Sequence, residues 1–100
     1  MPKQIATAEE FDAEIKSGKV LVDLFATWCG PCKMLSPVID QVEAEHPEVK
    51  FIKVDVDEVP AIAARYNVYS IPTILVFNDG EKVNEQIGFV PKPGIEKLIA

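Results

Sequence analysis

The chain has only two cysteines and one histidine among its 100 residues, and each scarcity removes a class of function. Two cysteines three positions apart build no disulfide framework, because a bridge closing so short a loop constrains the unfolded chain little. Two Cys and one His also fall short of the four N/S ligands of a structural zinc site. His46 lies at the far end of a predicted long helix, about 20 Å from the cysteines at about 1.5 Å rise per residue. No metal is therefore expected. Basic residues are in the minority, 10 against 16 acidic, which gives a formal net charge of −6. With no Lys/Arg cluster, such a chain is repelled by phosphate backbones, and nucleic acid is excluded as a partner. No apolar run approaches the roughly 18 residues of a membrane span. Met1 to Phe11 lack the basic stretch and apolar core of a secretory signal, so a cytoplasmic location is the expectation. Repeats, low-complexity tracts and linkers are absent, and the length suits a single domain over residues 1–100, expected to be monomeric.

What is present is an alternation of helix and strand patterns, the mark of an α/β domain around a central sheet. Thr7-Ala8-Glu9-Glu10 fits a capping box, with Ala8, Phe11 and Ile15 on one helical face and Ser17-Gly18 as the stop. Val20 to Ala26 is a nearly continuous apolar run and reads as a central strand buried on both faces. Cys29 to His46 is the longest helix, with Leu35, Val38, Ile39 and Val42 on its apolar side. Pro37 lies in its interior, where the ring removes a hydrogen bond and should kink the axis. Val49 to Val56 reads as a strand. Val59, Ile62, Ala63 and Tyr66 form the stripe of a short helix that stops at Asn67. Thr73–Phe77 and Lys82–Ile87 flank Asn78-Asp79-Gly80, a hairpin signal. Ile95, Leu98 and Ile99 line a terminal helix. With a short first strand around Gln4-Ile5, the order is β-α-β-α-β-α-β-β-α.

Chemistry concentrates in Trp28-Cys29-Gly30-Pro31-Cys32-Lys33, between the apolar strand and the long helix. Pro31 suits a first helical turn, where its missing N–H has no intrahelical partner. Gly30 is expected to permit a tight backbone entry and to leave room for an approaching chain. Cys29 then sits at the helix N-terminus, where free N–H groups and the macrodipole favour a thiolate. Cys32 follows one turn in and is expected to be the less exposed sulfur. Two intervening residues bring the sulfurs within bonding range. Thiol–disulfide exchange requires this pairing of one ionised, reachable sulfur with a second that displaces it. A redox pair is favoured over a structural disulfide or a zinc site.

Val22-Asp23-Leu24-Phe25-Ala26-Thr27-Trp28-Cys29-Gly30-Pro31-Cys32-Lys33 closely resembles the active-site signature of the thioredoxin family. Lys53-Val54-Asp55-Val56-Asp57, Ile71-Pro72-Thr73 and Gly88 fall where that family would place them, so the resemblance covers essentially the whole chain. Cys-Gly-Pro-Cys separates it from glutaredoxins and protein disulfide isomerases. The resemblance implies a central five-stranded mixed sheet with four flanking helices. It implies that Cys29 attacks a substrate disulfide and Cys32 resolves the mixed disulfide. Disulfide-containing proteins are then the substrates. A thioredoxin reductase, an NADPH-dependent flavoprotein, recharges the pair, and no cofactor is held by the chain itself.

Asp23 is the outlier of the apolar strand. A carboxylate there costs desolvation, and burial should raise its pKa toward that of a proton acceptor at neutral pH. The family places it beneath Cys32; the plain alternative is an edge carboxylate facing solvent. Lys53 has two open readings: a neighbour that tunes Asp23, as the resemblance implies, or a lysine whose stem crosses apolar surface to water. Base rates alone favour a trans Ile71-Pro72 bond; the resemblance implies a cis one beside the cysteines, with Ile71 offering its backbone to an extended substrate. Trp28 is a core aromatic or the rim of a docking patch, and its place beside Cys29 favours the rim. Gly88 and Phe89 are expected to complete that patch with Gly30, Pro31 and Ile71; Phe89 departs from the small residue the family often has. His46 is expected to be solvated, with a mild helix-dipole interaction. Two rivals to a general disulfide reductase are a non-catalytic module of the same fold and an oxidant or isomerase of an export compartment.

Overall fold

The computed structural model describes residues 1–100. In chain order the elements are β1 (Lys3–Ile5), α1 (Ala8–Glu14), β2 (Lys19–Phe25), α2 (Gly30–Glu45), β3 (Lys50–Asp55), α3 (Pro60–Arg65), β4 (Thr73–Asn78), β5 (Glu81–Ile87) and α4 (Lys92–Leu98). The strands form one mixed sheet in the order β1-β3-β2-β4-β5. β1, β3 and β2 run parallel, while β4 and β5 are antiparallel to their neighbours.

Local chemistry sets the ends of these elements. Thr7 caps α1 by accepting the Glu10 N–H at 3.1 Å. Glu10 reaches back to the N–H of Ala6 at 2.7 Å, one residue before the cap rather than to the cap itself. Asn67 takes the left-handed conformation expected of a helix stop. At the hairpin tip Asp79 and Gly80 both have positive φ, which matches the twist of the strands they join. Asp79 also accepts the Gly18 N–H at 2.7 Å and donates its own N–H to Gly18 O at 3.0 Å. The tip of the hairpin is thereby tied to the turn between α1 and β2.

β2 lies at the centre of the sheet, and its alternation decides where the chemistry goes. Val20, Val22 and Leu24 belong to the cluster that also holds Phe11 of α1 and Ile62 of α3. Leu21 points the other way, into the cluster of Leu35, Ile39 and Val42 from α2 and Ile95 from α4. Asp23 shares the Leu21 face by the period-two rule, beneath α2. Helix α2 runs unbroken through Pro37 from Gly30 to Glu45. Leu98, on the apolar side of α4, is only half-buried; Ile95 is fully buried, and Ile99, just past the end of the helix, is buried as well. No helix is long and apolar enough to cross a membrane.

Candidate active site

Cys29 and Cys32 are joined as a disulfide, their Cα atoms 5.3 Å apart. Cys29 is the N-cap of α2, and its Sγ accepts the backbone N–H of Cys32 at 3.2 Å. Pro31 occupies the first turn, as its lack of an N–H allows. Cys29 and Cys32 are both buried, 5% and 4% exposed. One expectation needs correction. Gly30 has no positive φ, and a Cβ added there meets nothing within 4 Å, so the entry into α2 does not demand glycine. What Gly30 contributes is open space beside the sulfurs.

Sheet register places the charged pair beside them. Asp23 and Lys53 are directly paired on the parallel strands β2 and β3. Asp23 is 5% exposed, and its Oδ1 receives no hydrogen bond from the protein. The solvent-facing edge alternative is thereby removed. Burial pushes its carboxyl up from 3.8 to about 6, against the pull of the Lys53 ammonium and with a further push from the Asp40 charge. The Lys53 Nζ also stands 5.5 Å from the centroid of the Phe25 ring, so the lysine neighbours both Asp23 and an aromatic face. A cavity of about 280 Å³ opens on this side of the disulfide, with Asp23, Phe25, Thr27, Cys32, Ser36 and Lys53 in its lining. It gives the buried carboxyl and Cys32 a common space.

Ile71 packs against the two cysteines, and its bond to Pro72 is cis. The carbonyl oxygen of Ile71 is 3.8 Å from Cys29 Sγ, a contact without a proton in the oxidised pair. Neither the N–H nor the C=O of Ile71 has a backbone partner. Gly88, at φ 88°, donates its N–H to Pro72 O at 2.8 Å and carries Phe89 next to this segment. Phe89 is 42% exposed. Trp28 is 69% exposed, which excludes a core role; its indole N–H donates to Asp57 Oδ2 at 2.8 Å, and Asp57 is fixed in turn by its own N–H on Asp55 Oδ1 at 2.9 Å.

A strand-loop-helix disulfide beside a buried carboxyl and a proline loop can be compared as a unit with known proteins. The family model described as Thioredoxin matches residues 2–100. The chain belongs to the thioredoxin family. Thioredoxin of Staphylococcus epidermidis is 47% identical over 94 residues, covering 93% of this chain and 90% of that protein. Thioredoxin of Chlamydia trachomatis is 47% identical over 97 residues, covering 97% of this chain and 95% of that protein. Among solved structures, Plasmodium falciparum thioredoxin superposes with a TM-score of 0.91 at 37% identity, covering 97% of this chain and 95% of its own. The chain is a protein-disulfide oxidoreductase of this family, with the Cys29–Cys32 pair in its CxxC motif.

Several features of the site were not singled out in the sequence. Asp57 anchors Trp28, and only its place two residues beyond Asp55 marked it. Met34 and Tyr69 are exposed apolar residues, with Met34 one turn after Pro31 on α2. Asp40 holds a buried oxygen with no partner. His46 is not simply solvated: it lies between Glu48 at 3.3 Å and Glu96 at 3.1 Å, which raise its pKa, and so links the end of α2 to α4.

Proposed function

We propose that the protein is a general cytoplasmic disulfide reductase acting as one monomeric domain, with Cys29 as nucleophile and Cys32 as resolving thiol. The observation that carries the assignment is the Cys32 N–H held on Cys29 Sγ at 3.2 Å at the start of α2. In the reduced protein the same donor, with the free N–H groups of the first turn, favours a thiolate at Cys29. That thiolate attacks one sulfur of a substrate disulfide, forms a mixed disulfide and expels the other sulfur as a thiolate. Cys32 then gives its proton to Asp23 across the shared cavity and attacks Cys29 Sγ. The Cys29–Cys32 bond forms, the mixed bond breaks, and two electrons have passed to the substrate. Lys53 steadies the Asp23 carboxylate between turnovers.

Substrate docks as an extended segment on the free backbone groups of Ile71, beside Pro72, in the manner of an added strand. Trp28, Gly30, Pro31, Gly88 and Phe89 form the rim, open at Gly30 and aromatic at Trp28 and Phe89. Pro31 and Gly30 keep side-chain bulk away from the sulfurs. Disulfide-containing proteins are the substrates, and a thioredoxin reductase that draws on NADPH through its flavin returns the electrons. Neither nucleic acid nor a membrane has a part in the cycle. NADPH-coupled reduction of insulin tests this reading: wild type turns over, whereas Cys29→Ser gives no activity above background. Equal activity in Cys29→Ser would refute it.

A further inference from the structure

Asp23 and Lys53 lie opposite each other on the neighbouring strands β2 and β3. Opposite charges so placed would ordinarily join. Here no ion pair links them, and Asp23 Oδ1, sealed from solvent, receives no hydrogen bond from the protein. The ammonium is held elsewhere.

Its partner is the Phe25 ring. Phe25 stands two residues beyond Asp23 on β2 and therefore on the same face of the sheet. Lys53 Nζ lies 5.5 Å from the ring centroid, inside the roughly 6 Å reach of a cation–π contact. All three side chains line the cavity beside Cys32, and Phe25 also packs against the cysteine pair. Lys53 is only half-buried, so at the ring its ammonium stays open to the cavity. Closing onto the buried carboxylate would strip both charges of water, a cost that Coulomb attraction repays poorly. Other charges near the pair are few. β1 sets only Gln4 opposite Lys53, and β4 sets Ile74 opposite Asp23. α2 brings Lys33 to the cavity wall and, further along, Asp40 and Glu43, of which Glu43 is paired with the Met1 ammonium.

We propose that Phe25 is a positioning residue: its ring holds the Lys53 ammonium off the Asp23 carboxylate, which leaves that carboxylate free to take the Cys32 proton. The inference rests on the reading of Asp23 as the group that receives that proton. An ammonium in direct contact would stabilise the ionised carboxylate and make it a weaker base. Held at the ring, Lys53 tempers the effect of burial without cancelling it. The carboxyl stays pushed up to about 6, close to neutral pH, where general-base transfer is most effective.

Carbon-13 NMR titration of the Asp23 carboxyl in the oxidised protein tests this without any turnover, in Phe25→Leu and in Phe25→Leu combined with Lys53→Met. Leu keeps apolar bulk but offers the ammonium no ring. Phe25→Leu alone should move the Asp23 midpoint about one pH unit lower, the lower end of what a directly opposed charge does. In the Lys53→Met background the same substitution should leave the midpoint in place. A midpoint unchanged in a folded Phe25→Leu protein overturns the inference. So does an equal fall in both backgrounds, which would mean that the ring acts by excluding water. Phe25→Met serves the same comparison should Leu prevent folding. The acid limb of the pH profile for insulin reduction should follow the midpoint. A midpoint that moves as expected while that limb stays fixed upholds the role of the ring and refutes Asp23 as the proton acceptor.

Discussion

Replacing Asp23 by Asn should stabilise the protein while slowing it, and the stabilisation should depend on pH. The carboxyl titrates near 6 in the folded chain against 3.8 when free. That difference corresponds to about 3 kcal/mol, at about 1.4 kcal/mol for each tenfold change in proton affinity. The sign follows from which state holds the proton more tightly. Here the folded state does, so ionisation opposes folding above pH 6, and the penalty fades as the pH falls through 6 toward 3.8. Asn is similar in shape and carries no charge. Asp23→Asn should therefore gain about 2–3 kcal/mol over wild type at pH 7–8 and under about 1 kcal/mol at pH 4. Urea unfolding of both oxidised proteins at 25 °C from pH 4 to pH 8 measures this directly. Insulin reduction by the variant should fall over the same range. A stability difference that does not vary with pH would refute a buried, ionising carboxylate as its source.

Phe89→Ala should leave stability nearly unchanged and lower kcat/KM for protein disulfides by about 5- to 10-fold, as loss of a rim aromatic contact would. Reduction of a small aromatic-free disulfide by the same variant should be unaffected, and an equal loss on both substrates would contradict a docking role. Gly88→Ala has space for its methyl group but not a favourable backbone, since φ is 88°. Denaturant unfolding should show a loss of about 1–2 kcal/mol; no loss would mean that the loop relaxes freely. His46 has its pKa raised first by Glu96 and then by Glu48. Its contribution is fully present below the unfolded value near 6.5 and disappears as the pH rises through the higher folded value. His46→Gln should therefore lower Tm more at pH 5.5 than at pH 8.5, and an equal change at both would show that the imidazolium pairs contribute nothing.

The elements that carry strong local signals were legible in the sequence. The apolar run through Phe25 could only be a doubly buried strand, and Asp79-Gly80 could only close a hairpin. Asp23 stood out because a carboxylate in such a run has no ordinary explanation. The cysteine pair was legible because Pro31 and the helix behind it set its geometry. What local pattern encodes weakly or not at all depends on contacts between distant segments. The short first strand expected around Gln4-Ile5 forms over Lys3–Ile5, held by β3 alongside it. Base rates argued for a trans bond at Pro72, and only family resemblance pointed to the cis one observed beside Cys29. The pairing of Asp23 with Lys53 is a matter of register between β2 and β3. Asp57 holds Trp28 across 29 residues of sequence. Asp40 on α2 is only half-buried, yet one of its carboxylate oxygens is sealed from solvent, and nothing along the chain marks that.

In the proposed cycle one sulfur of the pair is an activated nucleophile and the other is not. Reduced protein should be treated with limiting iodoacetamide from pH 5 to pH 9, and the carboxamidomethyl group located by mass spectrometry. Modification is expected at Cys29 well ahead of Cys32, faster than free cysteine at pH 7, with a midpoint below the roughly 8.5 of a free thiol. Modification divided evenly between the two, or a Cys29 rate no greater than that of free cysteine in the folded protein, would contradict it.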